Sequence, residues 1–232
     1  YLYVADADNH TIRRIDLVND SMVTTAAGDG GGTGGGYQNG SSTTAKFKNP
    51  RGLCIAHDGS ALYIGDNNNH CIRKLVFATN TVTTYAGVGG SASSGNDDGP
   101  IGSSKFSNPG GLTISSNGKF MYVADNSNLL IREINIVDGI TYTLAGGLWG
   151  YADNTDGSQA KFAAPMDIVV SRDDELLYVA DLSNNRIRIV RALLEGTGSA
   201  LVKEISLDNS CYPNPAANYL ILDLENKNEI KY

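Results

Sequence analysis

The stretch Tyr63–Lys74, YIGDNNNHCIRK, decides the fold because close variants of it occur three more times in the chain. The other copies read YVADADNHTIRR from Tyr3, YVADNSNLLIRE from Tyr122 and YVADLSNNRIRI from Tyr178. Successive copies begin 60, 59 and 56 residues apart. A supersecondary unit reused at a near-constant period indicates a repeat architecture, in which the repeats build a platform and the loops carry most of the function.

Each full period contains four short segments typical of β-strands, separated by turn residues. Around the second copy they are the apolar run 52–56, the segment 62–65, the alternating segment 71–76 and the β-branched segment 81–87. Four short antiparallel strands per repeat are the pattern of a β-propeller blade. A parallel β-helix is the main alternative, but its coils are shorter and contain fewer turns. No segment shows sustained helical periodicity.

We therefore predict an all-β fold, with a β-propeller over residues 1–205 and a separate β segment at 206–232. Three complete blades and one partial blade are expected, and the partial blade contains only the last three strands of a repeat. The predicted blades cover about 1–28, 47–87, 106–146 and 162–205.

The order F-x-x-P-x-G-[LI], LYVAD, N-H-x-I-R and V-T-x-x-A-G resembles the NHL repeat family. NHL propellers usually have six blades, so the resemblance implies about two blades beyond those visible here. A four-bladed ring, or completion of the ring by another segment or chain, stays open. The Asn-His pair of the family name stands in the first two copies and is altered in the last two: Asn9-His10, Asn69-His70, Asn128-Leu129 and Asn184-Asn185.

Every copy contains an Asp at the end of one strand and an Arg seven residues later. The carboxylate can accept hydrogen bonds from the turn that follows it, and a hairpin can bring the Arg beside it. A feature present in every blade indicates scaffold rather than four separate acid sites. The pairs are Asp6 and Arg13, Asp66 and Arg73, Asp125 and Arg132, and Asp181 and Arg188.

The blade-to-blade loops 29–45, 88–104 and 147–160 are rich in Gly, Ser, Asn and Asp and are predicted to be surface turns. In NHL proteins such loops line one face of the disc. A Trp–Tyr pair beside carboxylates suits contact with a glycan or a protein. The alternative is that the Trp packs over the blade beneath it. The candidate binding residues are Tyr37, Asp97, Asp98, Trp149, Tyr151, Asp153 and Asp156.

We predict no cofactor and no metal site. The Asp-rich loops would suit calcium by residue type, but their spacing does not match a known calcium loop. Some propellers related to NHL proteins are lyases or hydrolases that use metal-bound His and Asp in a central channel. The three His residues form no HxH or HExxH phrase, and no GxSxG phrase occurs. A metal-dependent lyase or hydrolase is therefore kept only as an alternative.

The net charge of the chain argues against two classes of partner. A net charge of −7 without a basic run argues against a nucleic acid or an anionic membrane surface. No stretch of about eighteen apolar residues is present that would span a bilayer. The expected partners are proteins, glycans or further copies of this chain.

The tail changes in composition after residue 206. Its phrase Tyr212-Pro213-Asn214-Pro215, followed by a hydrophobic strand, resembles the start of the sorting domain used by the type-nine secretion pathway of Bacteroidota. The resemblance implies export across the outer membrane and an extracellular or cell-surface location. A linker with an ordinary hairpin is the alternative.

Short glycosylation patterns also occur. Ser21 fits an O-glycosylation pattern of the same bacteria, and Asn9, Asn19 and Asn39 fit N-x-[ST]. Together these features predict a secreted or cell-surface propeller that acts as a non-catalytic protein- or glycan-binding scaffold. A structural subunit of an extracellular filament or surface assembly is the second hypothesis.

Overall fold

The structure, a computed structural model, describes residues 1–19, 21–29, 35–191 and 201–204. Four antiparallel sheets follow one another along the chain, and each arises from one sequence repeat. The prediction of an all-β propeller with about four antiparallel blades is confirmed. The predictions for the tail, including the sorting-like motif at 212–215, lie outside the described residues.

Blade 1 has three strands and lacks the strand that begins the other blades, in agreement with its sequence. Blades 2 and 3 have the four expected strands, and each gains a two-residue strand from the loop before it, paired to the last strand of the blade. In blade 1 the strands are β1 Leu2–Asp6, β2 Thr11–Ile15 and β3 Val23–Ala27. In blade 2 they are β4 Gly40–Ser41, β5 Pro50–Ile55, β6 Ala61–Asp66, β7 Cys71–Val76 and β8 Thr81–Ala86. In blade 3 they are β9 Gly99–Pro100, β10 Pro109–Ile114, β11 Phe120–Asp125, β12 Leu130–Asn135 and β13 Ile140–Gly146.

Blade 4 is preceded by a short parallel pair within its loop, which joins β14 to β15. Helical structure among the described residues is limited to single 3-10 turns, of which three follow the Asp of the repeat and one lies in the loop before blade 4. None of these turns is long enough to cross a membrane. The remaining strands are β14 Leu148–Trp149, β15 Lys161–Phe162, β16 Pro165–Val170, β17 Leu176–Asp181, β18 Arg186–Arg191 and β19 Leu201–Glu204.

The blades stack face to face, with the first strands β5, β10 and β16 adjacent to one another at the centre. All six residues of β6 are buried because blades 1 and 3 cover its two faces. In β1, by contrast, Leu2 and Val4 are 49% and 39% exposed, because no described blade covers that face. Burial of side chains between successive sheets is thus the main apolar stabilisation of this fold.

Two cysteines lie within the described part of blade 2, and both are free thiols. Cys71 is buried and Cys54 is half-buried, and burial raises the pKa of each thiol above its usual value. A protonated, buried thiol behaves as a small apolar side chain, so we assign both residues a packing role.

A buried carboxyl group lies between blades 3 and 4. Glu133 is 4% exposed and stands opposite Tyr122 and Tyr142 on the neighbouring strands. Desolvation raises the pKa of Glu133 from 4.5 to about 7. The folded state holds this proton more tightly than the unfolded state does. The protonated carboxyl group therefore makes its full contribution to the free energy of unfolding below about pH 4.5, and that contribution is lost as the pH rises through about 7.

Replacing Glu133 by Gln is therefore expected to stabilise the protein in a pH-dependent way. The variant should match the wild type near pH 4.5 and exceed it by roughly 1–2 kcal/mol at pH 8, where the wild type must bury an ionised carboxylate. Urea unfolding between these pH values measures the difference. Glu175→Gln, which removes an exposed carboxyl group, is the matched control. An equal gain in both variants would contradict the assignment.

Candidate functional site

The Asp and Arg of each complete repeat form a buried ion pair at the end of the blade hairpin. In blade 2, Arg73 Nη1 lies 2.8 Å from Asp66 Oδ2, and both side chains are fully buried. The same guanidinium donates to the carbonyl oxygens of Lys46 and Gln38 at 3.0 and 2.8 Å. The pair therefore holds the loop that precedes its own blade, at the point where Gln38 and Lys46 form an antiparallel bridge.

The arrangement recurs in blades 3 and 4, where the Arg–Asp distances are both 3.0 Å. Burial raises the pKa of Asp125 to about 6, while Arg132, Asn128 and the Ser107 amide oppose that rise. The carboxylate is consequently ionised at neutral pH and faces its counter-ion. In blade 1 the Arg13–Asp6 separation is 3.8 Å, and both side chains are about one-third exposed.

The repeat carboxylates accept hydrogen bonds from the Asn side chain of the turn that follows, and not from its backbone amides, which corrects the expectation of a backbone cap. Asp66 accepts no capping hydrogen bond from the backbone amides of the 3-10 turn that follows it. Its Oδ1 instead accepts a 2.8 Å bond from the Lys48 amide, and its Oδ2 accepts one from Asn69 Nδ2 at 2.9 Å. The Asn69 amide also donates to Gly36 O at 2.7 Å. Asp, Asn and Arg thus act together on the preceding loop, with equivalent bonds in blades 3 and 4.

The His of the Asn-His motif joins neighbouring blades. His10 Nδ1 accepts a hydrogen bond from the Asn49 amide, and His70 Nδ1 accepts one from the Asn108 amide, both at 3.1 Å. Burial lowers the pKa of His70, so the ring is neutral and its Nδ1 is available as an acceptor. Leu129 occupies this position in blade 3 and keeps the left-handed backbone with φ of 60°.

Five of the loop residues predicted to bind partners contact charged side chains of their own blade; Tyr151, whose ring lies 4.9 Å from the Arg188 guanidinium, is one of them. Asp98 accepts from Arg132 Nη2 at 2.7 Å, and Asp153 is paired with Arg188. Tyr37 places its ring 5.0 Å from the Arg73 guanidinium, and Asp97 lies 2.9 Å from Lys105 Nζ. Asp156 serves a related structural purpose, because it accepts from the Ser158 amide at 2.9 Å and begins a 3-10 turn. These contacts give the loop Asp residues a structural role.

Blades 2 and 3 differ in the loop residue that accepts a hydrogen bond from the Arg of the repeat. Asp98 of blade 3 accepts bonds from both the Arg132 guanidinium and the Thr143 amide, at 2.7 and 3.0 Å. In blade 2 the equivalent residue is Asn39, whose Oδ1 accepts from Arg73 at 2.8 Å. Its amide nitrogen can only donate, so it cannot accept from the backbone as Asp98 does.

We expect Asn39→Asp to raise the free energy of unfolding by about 0.5–1.5 kcal/mol, because it supplies a charge-assisted bond to a buried cation. Thermal and urea unfolding measure the change. Gln159→Glu adds the same charge at an exposed position and is the control. A loss of stability in Asn39→Asp, or an equal gain in the control, would show that the loop carboxylates do not stabilise the blades.

The exposed end of the third loop carries large apolar side chains that the blades do not cover. Leu148 is 52% exposed, Trp149 is 67% exposed and Tyr151 is 44% exposed. We call these three residues the Trp149 surface. Its backbone is fixed because Trp149 pairs with Phe162 in the parallel bridge, and the Tyr151 ring packs against the Arg186 guanidinium at 4.3 Å. Exposed apolar side chains on a fixed backbone are suited to recognition.

The residues of the predicted glycosylation patterns are placed as follows. Ser21 is exposed. The side-chain amides of Asn9 and Asn19 donate to Asp6 and Asp16, each within 3.0 Å.

Across the described ranges, no group of three or more His, Cys, Asp or Glu side chains is placed to hold a metal ion.

Comparison with known proteins agrees with the fold. The NHL repeat family model matches residues 47–75, within blade 2. The chain is 34% identical over 141 residues to Protein SUPPRESSOR OF QUENCHING 1 of Arabidopsis thaliana, covering 59% of this chain and 13% of that protein. It is 32% identical over 152 residues to NHL repeat-containing protein 2 of Bos taurus, covering 62% of this chain and 20% of that protein. The chain thus spans about a fifth or less of the curated relatives it matches.

Among solved structures, an auxiliary nutrient binding protein from Bacteroides thetaiotaomicron superposes with a TM-score of 0.63 at 21% identity. The superposition covers 81% of this chain and 44% of that one. At this identity the likeness supports the architecture alone. The protein is therefore an all-β propeller of about four antiparallel blades that carries an NHL repeat.

Proposed function

We propose that this protein is a secreted or cell-surface, non-catalytic binding module that contacts glycans through the Trp149 surface. The observation that carries the proposal is the 67% exposure of Trp149, beside two further exposed apolar residues on a backbone fixed by strand pairing. A planar indole stacks on the apolar face of a sugar ring, and the neighbouring Asp and Asn side chains can hydrogen-bond its hydroxyl groups.

Two further points support the proposal. Two of the loop carboxylates that would suit calcium by residue type, Asp98 and Asp153, are paired with Arg132 and Arg188. Structural neighbours in Bacteroides are described as auxiliary nutrient binding proteins, a role in which such a propeller would act by recognition. The sorting-like tail phrase favours delivery to the cell surface.

The test uses the fact that the chain has a single Trp. Titration with a set of neutral soluble polysaccharides is expected to change the emission of Trp149, and Trp149→Ala is expected to weaken binding at least about tenfold. Val137→Ala, which truncates an apolar side chain that is 71% exposed and lies in a different turn, is the matched control.

The assigned surface would be contradicted if a polysaccharide bound without changing the Trp emission of the wild type, and if Trp149→Ala bound it with wild-type affinity. If polysaccharides fail and an extracellular protein binds with the same dependence on Trp149, the surface is correct and the glycan class is wrong.

A structural role in a surface assembly is the second candidate, favoured by the uncovered face of blade 1. Val23, like Leu2 and Val4, is exposed there, at 50%. Mass measurement in solution distinguishes the two roles. Concentration-dependent oligomers that dissociate in a Val4→Lys variant would favour assembly, and a monomer at all concentrations would exclude self-assembly through this face.

A further inference from the structure

A cavity of about 320 Å³ lies between blades 1 and 2. It exists because Ala26 stands at a bulge position of the last strand of blade 1, where blade 2 has Tyr85 and blade 3 has Leu144. Those larger side chains pack into the junctions that follow their blades. The interface between blades 1 and 2 is the one described interface whose bulge residue is too small to fill the space.

The walls of the cavity combine a flat apolar side with a polar side. Tyr3 of blade 1 stacks on Phe77 of blade 2, with ring centroids 5.5 Å apart and an interplanar angle of 19°. Leu75 extends this apolar wall. The polar groups are contributed by Arg14, Thr25, Ser42 and Asn80. A volume of this size with a few convergent polar groups falls in the range of small-molecule sites.

Arg14 gives the cavity its charge. Its guanidinium lies 4.6 Å from the Tyr1 ring, and no carboxylate among the described residues forms an ion pair with it. The equivalent residues differ at the other junctions. Lys74 lies 5.3 Å from the Tyr63 ring and 5.9 Å from the Tyr85 ring that fills its junction, and Glu133 is a buried carboxyl. Within the described blades, Arg14 therefore combines an unpaired positive charge with adjacent empty space.

We propose that this cavity binds a small aromatic carboxylate. The carboxylate of the ligand would accept two parallel hydrogen bonds from the Arg14 guanidinium, in the bidentate geometry that this group favours. Ser42 and Asn80 would serve as further donors. The ring of the ligand would lie against the Tyr3–Phe77 wall and take the place that Tyr85 occupies between blades 2 and 3. This site is separate from the Trp149 surface and does not depend on the proposed glycan binding.

The experiment is a calorimetric titration of the full chain with 4-hydroxycinnamate and with its uncharged primary amide. The carboxylate is expected to bind at least about tenfold more tightly than the amide, because only the carboxylate pairs with the guanidinium. Two variants then test the space for the ring and the charge for the carboxylate separately. Ala26→Leu introduces the residue of blade 3 and fills the space, and Arg14→Gln removes the charge from a half-exposed position. Each is expected to reduce affinity for the carboxylate at least about tenfold.

Two control variants show whether binding takes place in this cavity. Arg51→Gln removes a positive charge from an exposed position outside the cavity, and Trp149→Ala removes the surface proposed for glycans. Both are expected to bind 4-hydroxycinnamate as the wild type does. The proposal is overturned if the carboxylate and the amide bind equally, if neither binds, or if Arg14→Gln retains wild-type affinity. Should Ala26→Leu fail to fold, the Arg14→Gln result decides the question alone.

Discussion

Arg132→Met is expected to lower the free energy of unfolding by about 3–5 kcal/mol, because it leaves the Asp125 carboxylate buried without its counter-ion. The Asp125 and Arg132 side chains are both fully buried and 3.0 Å apart. The substitution also removes the donors that hold the carbonyl groups of Lys105 and Asp97 in the preceding loop. Urea unfolding followed by circular dichroism measures the loss.

The chain supplies its own control for this result. Arg13 and Asp6 have the same sequence offset, but they are 3.8 Å apart and about one-third exposed. Arg13→Met is therefore expected to cost less than about 1 kcal/mol, as for exposed ion pairs generally. Similar losses in the two variants would show that burial and loop contacts are not what make the repeated pair important.

Gly52→Ala is expected to destabilise the protein by about 3 kcal/mol, because an added methyl group has no room between the first strands of blades 2 and 3. A Cβ at this position would lie 2.3 Å from Gly110 O and 2.8 Å from Gly111 Cα. Both atoms are backbone and cannot rotate away as a side chain would. The P-x-G-[LI] pattern thus reflects close approach of neighbouring blades at the centre of the propeller.

Gly102→Ala is the matched control for this second result. A Cβ there would meet no atom within 4 Å, and the backbone is not in the left-handed region. Its stability is expected to stay within about 0.5 kcal/mol of the wild type. Equal losses at the two positions would contradict contact between blades as the cause, since the effect of Gly→Ala on the unfolded chain is stabilising.

The regular part of the fold is predictable from sequence because it repeats. The phrase around Tyr63 contains an alternating strand, a turn and a second strand, and four such phrases at an even period require a repeated sheet. The pairing of Asp66 with Arg73 follows from the hairpin, since residues 64 and 73 are direct cross-strand partners. For the strands and the Asp–Arg pairs, the local sequence pattern is therefore sufficient to predict the structure.

The loop structure is not predictable in the same way. The bonds from Arg73 to Lys46 and Gln38 span 27 and 35 residues, and they depend on the path of a Gly-rich segment that has no periodic pattern. The short strands β4, β9 and β14 arise from the same segments and carry no sequence signal for the same reason. Asp98 and Asp153 are recognisable as loop carboxylates, but only the fold shows that they face buried guanidinium groups.

The cavity between blades 1 and 2 is the second feature that sequence reasoning missed, although a signal exists. Aligning the ends of the repeats, VTTAAG at 23–28 against VTTYAG at 82–87, shows a small residue where a large one is expected. That difference indicates a cavity only when the strand register is known, because the register places both side chains in the interfaces that follow their blades.

The central claim is that buried Asp–Arg pairs hold the loops on which any recognition surface is presented. A double-mutant cycle with Asp125→Leu and Arg132→Met tests it most directly, by urea unfolding of the wild type, the two single variants and the double variant. We expect each single variant to lose about 3–5 kcal/mol and the double variant to lose far less than their sum, with a coupling of at least about 2 kcal/mol. Losses that add to within about 0.5 kcal/mol would contradict the claim.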